Sequence, residues 1–207
     1  GATTSARGDE ILSDALASLL GGELSKALEL DVVTSAEARQ TPRLKRLVAQ
    51  YESRQSSSDP VASYRSTLVG GQPAKGKLVY ENHVAAQCVR CHNAGGKGKQ
   101  VGPELGGIGK RFDKDYLLRS LIAPSVDIAE GFGVTVIELS NGEVLAGSIG
   151  NRTKKTLTLI PPQGKAREIP VNLIKNITES KTSVMPPVGA ILTKHELRDL
   201  MAYLETL

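Results

Sequence analysis

Residues 88–92 read Cys-Val-Arg-Cys-His, which places two thiols and an imidazole at a spacing that can hold a redox cofactor. Cys-x-x-Cys-His is the pattern at which a c-type haem is attached. Two cysteines three positions apart on one helical turn can each bond a vinyl group of the same porphyrin, and the adjacent histidine then supplies the proximal ligand to iron. The chain has two cysteines in all, and both lie in this pattern. The pattern therefore predicts one covalently bound haem c, attached at Cys88 and Cys91 and ligated by His92.

Two other kinds of site use the same cysteine spacing. A redox dithiol of the thioredoxin kind is expected within a βαβ unit, and the flanking sequence does not indicate one. A zinc site needs four nitrogen or sulfur ligands, and beyond the pattern the strong candidates are only His83 and His195. Haem attachment is therefore the better interpretation of the pattern.

The second axial position of the iron decides what such a haem does, because an open position permits ligand chemistry and a closed one favours electron transfer. The residues that could close it are Met185, Met201, His83, His195 or a lysine. Met185 precedes two prolines, which stiffen its loop and can hold the thioether against iron. Met201 falls on the apolar face of a predicted helix, where methionine commonly fills the core. His83 is expected to be packed or hydrogen-bonded and His195 to face solvent, so we predict Met185 as the second iron ligand.

The composition is that of a folded chain of one or two domains. The 207 residues are 40% hydrophobic and 3% aromatic, with no tryptophan, and the formal net charge is +4. Acidic and basic residues are interspersed without a long basic run, so we expect no nucleic-acid partner. No apolar stretch approaches the ~18 residues of a membrane span. Because covalent haem is attached outside the cytoplasm, we expect a periplasmic or secreted location and a signal peptide that is not part of this chain.

The first part of the chain, residues 1–56, is predicted to form a helical segment. Apolar residues recur at helical spacing from Ile11 to Leu20 and stop at two glycines. A second helix is predicted from the stripe Leu24, Leu28, Val32 and Ala36, and a third from Leu44, Leu47, Val48 and Tyr51. Short consecutive helices of this kind resemble the end of a HEAT-like solenoid. We assign this segment no chemistry, and the polar run at residues 55–58 marks its end.

Three further helices are predicted around the haem pattern. They are Pro73–Ala86, Lys114–Ile122 with Asp113 as its cap, and a C-terminal helix, 193–207, that starts with a capping box of Thr193 and Glu196. A glycine-rich loop, residues 93–109, follows the haem pattern. Its glycines suit a backbone that must wrap a flat porphyrin edge.

Residues 133–178 differ in composition and predict a small all-β insertion. The expected strands are Val134–Leu139, Val144–Ile149, Thr156–Ile160, Ala166–Val171 and Ile174–Ile177. Asn141-Gly142 is a two-residue hairpin signal. Five short strands in under about fifty residues predict a barrel or curled sheet that resembles SH3-like or Sm-like barrels. Since no aromatic and basic stacking set for RNA accompanies it, we predict a structural or docking insert.

The helices and the haem pattern together resemble class I cytochromes c. In such domains the N-terminal helix crosses the C-terminal helix, which here would bring Gly76 near Tyr203. The same resemblance implies that Pro103 belongs to the cofactor site, because its backbone carbonyl would accept the ring N–H of His92. The implied fold is mainly α, a cytochrome c fold split by a small all-β insertion and preceded by short HEAT-like helices.

A more specific resemblance is to the Pirellula/Verrucomicrobium-type haem-binding domain family. The residues that carry it are, in order, Gln87-Cys-Val-Arg-Cys-His92, Val101-Gly-Pro-Glu-Leu105, Tyr116-Leu-Leu-Arg-Ser120, Pro124-Ser125 with Ile128, Asn141-Gly142, Met185-Pro186-Pro187 and Glu196-Leu197-Arg198-Asp199-Leu200. The resemblance implies a cytochrome c domain formed by residues 59–132 and 179–207. Such domains often end long secreted proteins, after HEAT-like helices and a β-propeller similar to sugar or alcohol dehydrogenases. The propeller is not in this sequence, so the source of electrons would lie elsewhere.

We therefore predict a protein that is not itself an enzyme but transfers single electrons, from a dehydrogenase domain or partner to another carrier such as a cytochrome or an oxidase. Lys97, Lys99, Lys110 and Arg111 are expected either to steer an acidic redox partner or to form an ordinary solvated face. A peroxidase-like haem enzyme or a haem-based sensor is the alternative if the sixth position is open or Met185 can be displaced. No distal acid–base pair near the haem segments supports the enzyme.

Overall fold

The computed structural model describes residues 6–55, 58–98, 102–129, 132–161 and 165–207. Its α-helices are α1 Ala6–Gly21, α2 Lys26–Arg39, α3 Pro42–Gln55, α4 Pro73–Asn82, α5 Ile108–Arg111, α6 Lys114–Ile122 and α7 Lys194–Leu204. Its strands are β1 Asn93–Ala94, β2 Lys97–Gly98, β3 Gly133–Leu139, β4 Val144–Arg152, β5 Thr156–Ile160, β6 Arg167–Pro170 and β7 Ile174–Ser183. Within these ranges no helix has the length and apolar character needed to span a membrane. The predicted polar boundary at residues 56 and 57 lies outside the described residues.

The described residues form two compact units. The first runs to Val79 and includes residues 192–206, and the second contains residues 80–191 with Leu207. Helices α1 to α3 of the first unit share one hydrophobic core, made by Leu12, Leu16, Val33, Ala36, Leu44, Val48 and Tyr51. The three predicted helices are thus present and bury apolar faces against one another, as amphipathic helices must.

The apolar stripe predicted for α2 is confirmed only in its second half, where Ala36 lies in the core and Val32 packs against it. Leu28 of that stripe is 51% exposed, whereas Leu30 and Val33 are buried. Apolar residues occur on two sides of α2, so helical spacing alone does not decide which side packs. The neighbouring helices make that choice.

Helices α4 and α7 cross within the first unit at Gly76. A Cβ atom on Gly76 would lie 1.8 Å from the backbone oxygen of Asp199 and 2.8 Å from Cβ of Tyr203. Because no side chain fits in that space, the crossing requires glycine. The predicted proximity of Gly76 and Tyr203 is confirmed. Helix α7 begins with the predicted capping box of Thr193 and Glu196.

An ion-pair cluster joins α2 to α7 in the first unit. Asp31 accepts hydrogen bonds from Nε2 of His195 at 2.8 Å and from Nη1 of Arg198 at 2.9 Å. His195 was expected to face solvent and its side chain is 42% exposed, but it also pairs with a residue 164 positions away along the chain. The hydrogen bond from Arg198 is the main cause that lowers the pKa of Asp31 below its ordinary value.

Acid is expected to weaken this cluster. A carboxyl whose pKa is lowered in the folded state contributes stability above its unfolded pKa of about 4, and that stability is lost as pH falls through the folded pKa. Asp31→Asn should therefore lower the free energy of unfolding by about 1 kcal/mol near pH 7, a modest value because Asp31 is half exposed. The deficit should shrink below about pH 4, which denaturation curves at several pH values would measure.

The matched control is Asp14→Asn, because Asp14 forms an exposed pair with Arg43 at 4.0 Å. This variant should unfold like the wild type at every pH. A deficit of Asp31→Asn that stayed the same in acid and at neutral pH would contradict the assigned role of the carboxylate.

The second unit contains a five-stranded antiparallel sheet with the order β6-β5-β4-β3-β7. Its core is formed by Ile137, Leu139, Leu157, Leu159 and Ile169. These residues lie at alternate positions because successive side chains of a strand point to opposite faces. All five predicted strands are present. The last one extends to Ser183 instead of ending at Ile177, because its polar second half still pairs with β3 as far as Gly133 opposite Ser183.

The hairpin between β3 and β4 is present, but its turn is not the predicted one. A two-residue type I′ turn needs positive φ at both central residues. Only Gly142 has positive φ, at +87°, while Asn141 does not. The backbone N–H of Gly142 donates to Leu139 at 2.9 Å, so Gly142 ends a longer loop.

Candidate haem-attachment site

The two cysteines and the histidine lie on one tight turn. Residues Cys88–Arg90 form a 3-10 helix, and the backbone oxygen of Cys88 accepts hydrogen bonds from the N–H groups of Cys91 at 3.1 Å and His92 at 2.9 Å. The two cysteines are not joined by a disulfide bond. Burial raises the pKa of the Cys88 thiol, which keeps it protonated. The expected placement of two thiols on one turn is therefore observed.

The ring of His92 is held by a backbone carbonyl. Its Nδ1 lies 2.8 Å from the oxygen of Pro103, and since a carbonyl can only accept, Nδ1 carries the proton and donates it. This is the contact that the resemblance to class I cytochromes c implies. Burial lowers the pKa of His92, against the opposing effect of the Pro103 hydrogen bond. The imidazole is thus neutral at neutral pH, with Nε2 as the nitrogen available to a metal.

Gly102 packs directly against that ring. A Cβ atom on Gly102 would lie 2.8 Å from Cε1, 3.0 Å from Nδ1 and 3.2 Å from Nε2 of His92. Real Cβ atoms do not approach a ring carbon so closely, so only glycine leaves the imidazole in its position. The glycine-rich loop therefore has a second use besides backbone flexibility.

Backbone hydrogen bonds tie this loop to the cysteine turn. Gly102 donates to the oxygen of Cys91 at 2.7 Å, and Leu105 donates to the oxygen of Asn93 at 2.8 Å. Arg111 braces the next stretch, because its Nη2 donates to the carbonyls of Glu104 and Gly106 at 3.0 and 3.3 Å. These hydrogen bonds hold the backbone of the loop in place both before and after Pro103.

Tyr80 holds the backbone of the same histidine. Its hydroxyl donates to the backbone oxygen of His92 at 2.9 Å, and its side chain is 1% exposed. Tyr80 lies in the helix predicted over Pro73–Ala86, but its place in the sequence does not indicate a contact with His92. The sequence feature that could have indicated the contact is a tyrosine in the helix before the haem pattern, because a hydroxyl that becomes buried needs a hydrogen-bond partner.

The helix before the haem pattern is shorter than predicted. It ends at Asn82 rather than Ala86, because Nδ1 of His83 accepts from the backbone N–H groups of Ala85 and Ala86 at 3.3 and 3.0 Å. This side-chain cap replaces the carbonyls that a continuing helix would offer. The expectation of a hydrogen-bonded His83 is confirmed.

Met185 lies in the same compact unit as His92, in the loop that follows β7. It is partly buried, and two prolines follow it. Its backbone N–H donates to Oγ of Ser183 at 3.1 Å. Ligation of iron by Met185 remains a prediction. The other methionine, Met201, is buried in α7, as the core-filling interpretation expects.

The four basic residues expected near the haem edge are only partly described. Lys99 lies outside the described residues, as does the position of the Lys97 side chain. Lys110 and Arg111 are exposed. Because Arg111 also braces the loop, its charge is held in a defined position.

The donor set of this turn fits a covalent haem better than a zinc ion. Among the residues that the structure describes, no group of three or more His, Cys, Asp or Glu could hold a metal ion. Two thiols on one turn beside an imidazole with an available Nε2 are what attachment and proximal ligation require. Bound haem c supplies an iron that cycles between ferric and ferrous states and so accepts and releases single electrons. The chain would contribute Cys88 and Cys91 for attachment and an oriented, neutral His92 for ligation.

Comparison with known proteins agrees with this chemistry. Residues 73–131 match the family model described as Cytochrome c. The matched segment contains α4, the cysteine turn, the glycine-rich loop and α6, and it ends before β3. No curated protein sequence is similar enough to the chain to count as a relative. The chain therefore contains a cytochrome c domain at residues 73–131, which implies covalently bound haem c with its iron and a role in electron transfer.

Proposed function

We propose that Cys88 and Cys91 attach the single haem c, that His92 and Met185 ligate its iron, and that the domain acts as a single-electron carrier. The observation that carries this proposal is the orientation of His92. Pro103 accepts the Nδ1 proton in a hydrogen bond and Gly102 leaves room for the ring, so Nε2 is presented as a ligand next to the two thiols.

Ligation by Met185 would suit an electron carrier for two reasons. A thioether is a soft, neutral ligand that stabilises ferrous relative to ferric iron and so raises the reduction potential. A closed sixth position also excludes exogenous ligands, which an enzyme or a gas sensor would need to admit. The two prolines after Met185 support this role, because they reduce the freedom of the loop.

The test is to replace Met185 with alanine and to record absorption spectra of the oxidised and reduced protein. We expect a low-spin c-type spectrum for the wild type, with a near-infrared thioether-to-iron band that disappears in Met185→Ala. The reduction potential should fall in the same variant, because the ligand that favours ferrous iron is lost. The matched control is Met201→Leu, which exchanges the other of the two methionines and should keep the band.

A high-spin ferric spectrum of the wild type, or a Met185→Ala spectrum identical to it, would remove Met185 from the iron. The peroxidase-like enzyme or the haem-based sensor would then become the better hypothesis. Ready binding of CO to the ferrous wild type would support the same conclusion.

We further propose a periplasmic or secreted location and redox protein partners, with a dehydrogenase as electron donor and a cytochrome or oxidase as acceptor. The ordered residues shared with the Pirellula/Verrucomicrobium-type family support these proposals. The same resemblance supports a haem domain of residues 59–132 and 179–207 that is interrupted by residues 133–178. Exposed Lys110 and Arg111 support an acidic surface on one partner.

The wider architecture is proposed on the same basis. A single antiparallel sheet of five short strands, each next to its neighbour in the chain except for the final return, supports an SH3-like insertion. Three short consecutive helices that share one core support HEAT-like packing at the start of the chain.

A further inference from the structure

The β-sheet of the second unit is attached directly to the loop that carries Met185. Strand β7 ends at Ser183, two residues before Met185. The side chain of Ser183 accepts the backbone N–H of Met185 at 3.1 Å. The backbone N–H of Ser183 in turn donates to Oγ of Ser125, also at 3.1 Å. A chain of hydrogen bonds thus runs from Ser125 through Ser183 to Met185.

Both ends of this chain of hydrogen bonds are held by ordered structure. Ser183 is paired with Gly133 of β3, so it belongs to the sheet. Ser125 follows shortly after α6, which ends at Ile122. Helix α6 also packs against the 3-10 turn Val188–Ala190, which lies just after Met185 and begins with buried Val188. The backbone of Met185 is therefore fixed from the sheet side and from the helix side.

Apolar packing contributes little around Ser125 and Ser183, which hold the Met185 loop from the side of the sheet. Ser125 is exposed, and Val184, next to Met185, is 45% exposed. A cavity of about 590 Å³ opens beside these serines and is lined by Ser125, Val126, Ile128 and Ser180, among others. The two serine hydrogen bonds therefore restrain this side of the loop where apolar contact is small.

We propose that Ser183 and Ser125 are positioning residues for Met185, through which the β-sheet sets how firmly the thioether is held at the iron. This inference rests on the proposed ligation by Met185. The sheet is then part of the redox site's support and not only an inserted docking module. Loss of either hydroxyl leaves the ligand in place but allows it to detach more often.

The test is competition between Met185 and imidazole for the ferric iron, followed in the absorption spectrum. Added imidazole binds only to the fraction of molecules in which Met185 is detached, so its apparent affinity reports that fraction. Loss of one hydrogen bond of ordinary strength should increase the fraction about fivefold. Ser183→Ala and Ser125→Ala should each bind imidazole about fivefold more tightly than the wild type, while the near-infrared band persists without imidazole.

Ser180→Ala is the matched control. Ser180 lies on the same strand, and its Oγ accepts the N–H of Thr182 at 3.1 Å, the same two-residue geometry as Ser183 and Met185. It makes no hydrogen bond to the loop of Met185 in the described structure. Ser180→Ala should therefore bind imidazole like the wild type. Ser183→Thr keeps a hydroxyl and should restore the wild-type affinity even if Ser183→Ala is poorly folded.

The possible failures are distinguishable. If Met185→Ala keeps the near-infrared band, the proposed ligation itself is wrong. If Met185→Ala loses the band but Ser183→Ala and Ser125→Ala bind imidazole like Ser180→Ala, ligation stands and the positioning role of the serines is refuted.

Discussion

Replacing Gly76 with alanine is expected to lower the free energy of unfolding by more than the ~1–3 kcal/mol typical of an overpacked core site. The new Cβ would lie 1.8 Å from the backbone oxygen of Asp199 and 2.5 Å from its carbonyl carbon, so a side-chain rotation cannot relieve the clash. Helices α4 and α7 would have to separate. Their separation would also strain the 2.8 Å hydrogen bond from the backbone N–H of Gln72 to the Asp199 carboxylate. Chemical denaturation followed by circular dichroism would measure the loss.

Gly21→Ala is the matched control for this substitution. Gly21 is also helical, and a Cβ there would meet only the flexible side chain of Glu23 at 3.8 Å. Its stability should match or slightly exceed that of the wild type, because alanine reduces the entropy of the unfolded chain. If Gly76→Ala proved as stable as Gly21→Ala, the close crossing of α4 and α7 would be incorrect.

Replacing Gly102 with alanine is expected to displace the ring of His92 without releasing the haem. The new Cβ would lie 2.8 Å from Cε1 of His92, so the imidazole must move away from the Pro103 carbonyl. The cost combines about 1–3 kcal/mol of overpacking with the loss of a hydrogen bond of about 1 kcal/mol. Since the cysteines are unchanged, the haem should stay covalently bound in denaturing gels while the ferric spectrum shifts toward high spin and the reduction potential changes.

The control for Gly102→Ala lies in the same loop. In Gly106→Ala the nearest atom to the new Cβ is Oε1 of Glu104 at 3.1 Å, the end of a flexible side chain that can move aside. Its spectrum should therefore remain that of the wild type. A normal low-spin spectrum and an unchanged potential in Gly102→Ala would show that His92 is not the ligand held by this loop.

Several elements could be predicted because their signals are local. The bounds of α6 and β5 agree with the expected Lys114–Ile122 and Thr156–Ile160. The caps at Asp113 and Thr193 were also predicted correctly, since each depends on residues within one helical turn. Other helices and strands end at residues that differ from the predicted ones, for reasons that the spacing of apolar residues does not reveal. Helix α4 stops where His83 caps the chain, and β7 continues through polar residues because β3 pairs with them.

The same distinction between local signals and long-range contacts applies to the haem-attachment site. The cysteine spacing, the adjacent histidine and the presence of a glycine-rich loop are properties of neighbouring residues, so the haem chemistry can be inferred from the order of amino acids alone. The contacts that orient this chemistry join residues far apart in the chain: Ser125 with Ser183 across 58 positions, and Tyr80 with His92 across the end of a helix. Glycines alike in sequence also differ in role, because Gly102 meets an imidazole ring and Gly106 a flexible carboxylate. Such differences depend on which distant atoms fold against each residue, and they exist only once packing has brought those atoms together.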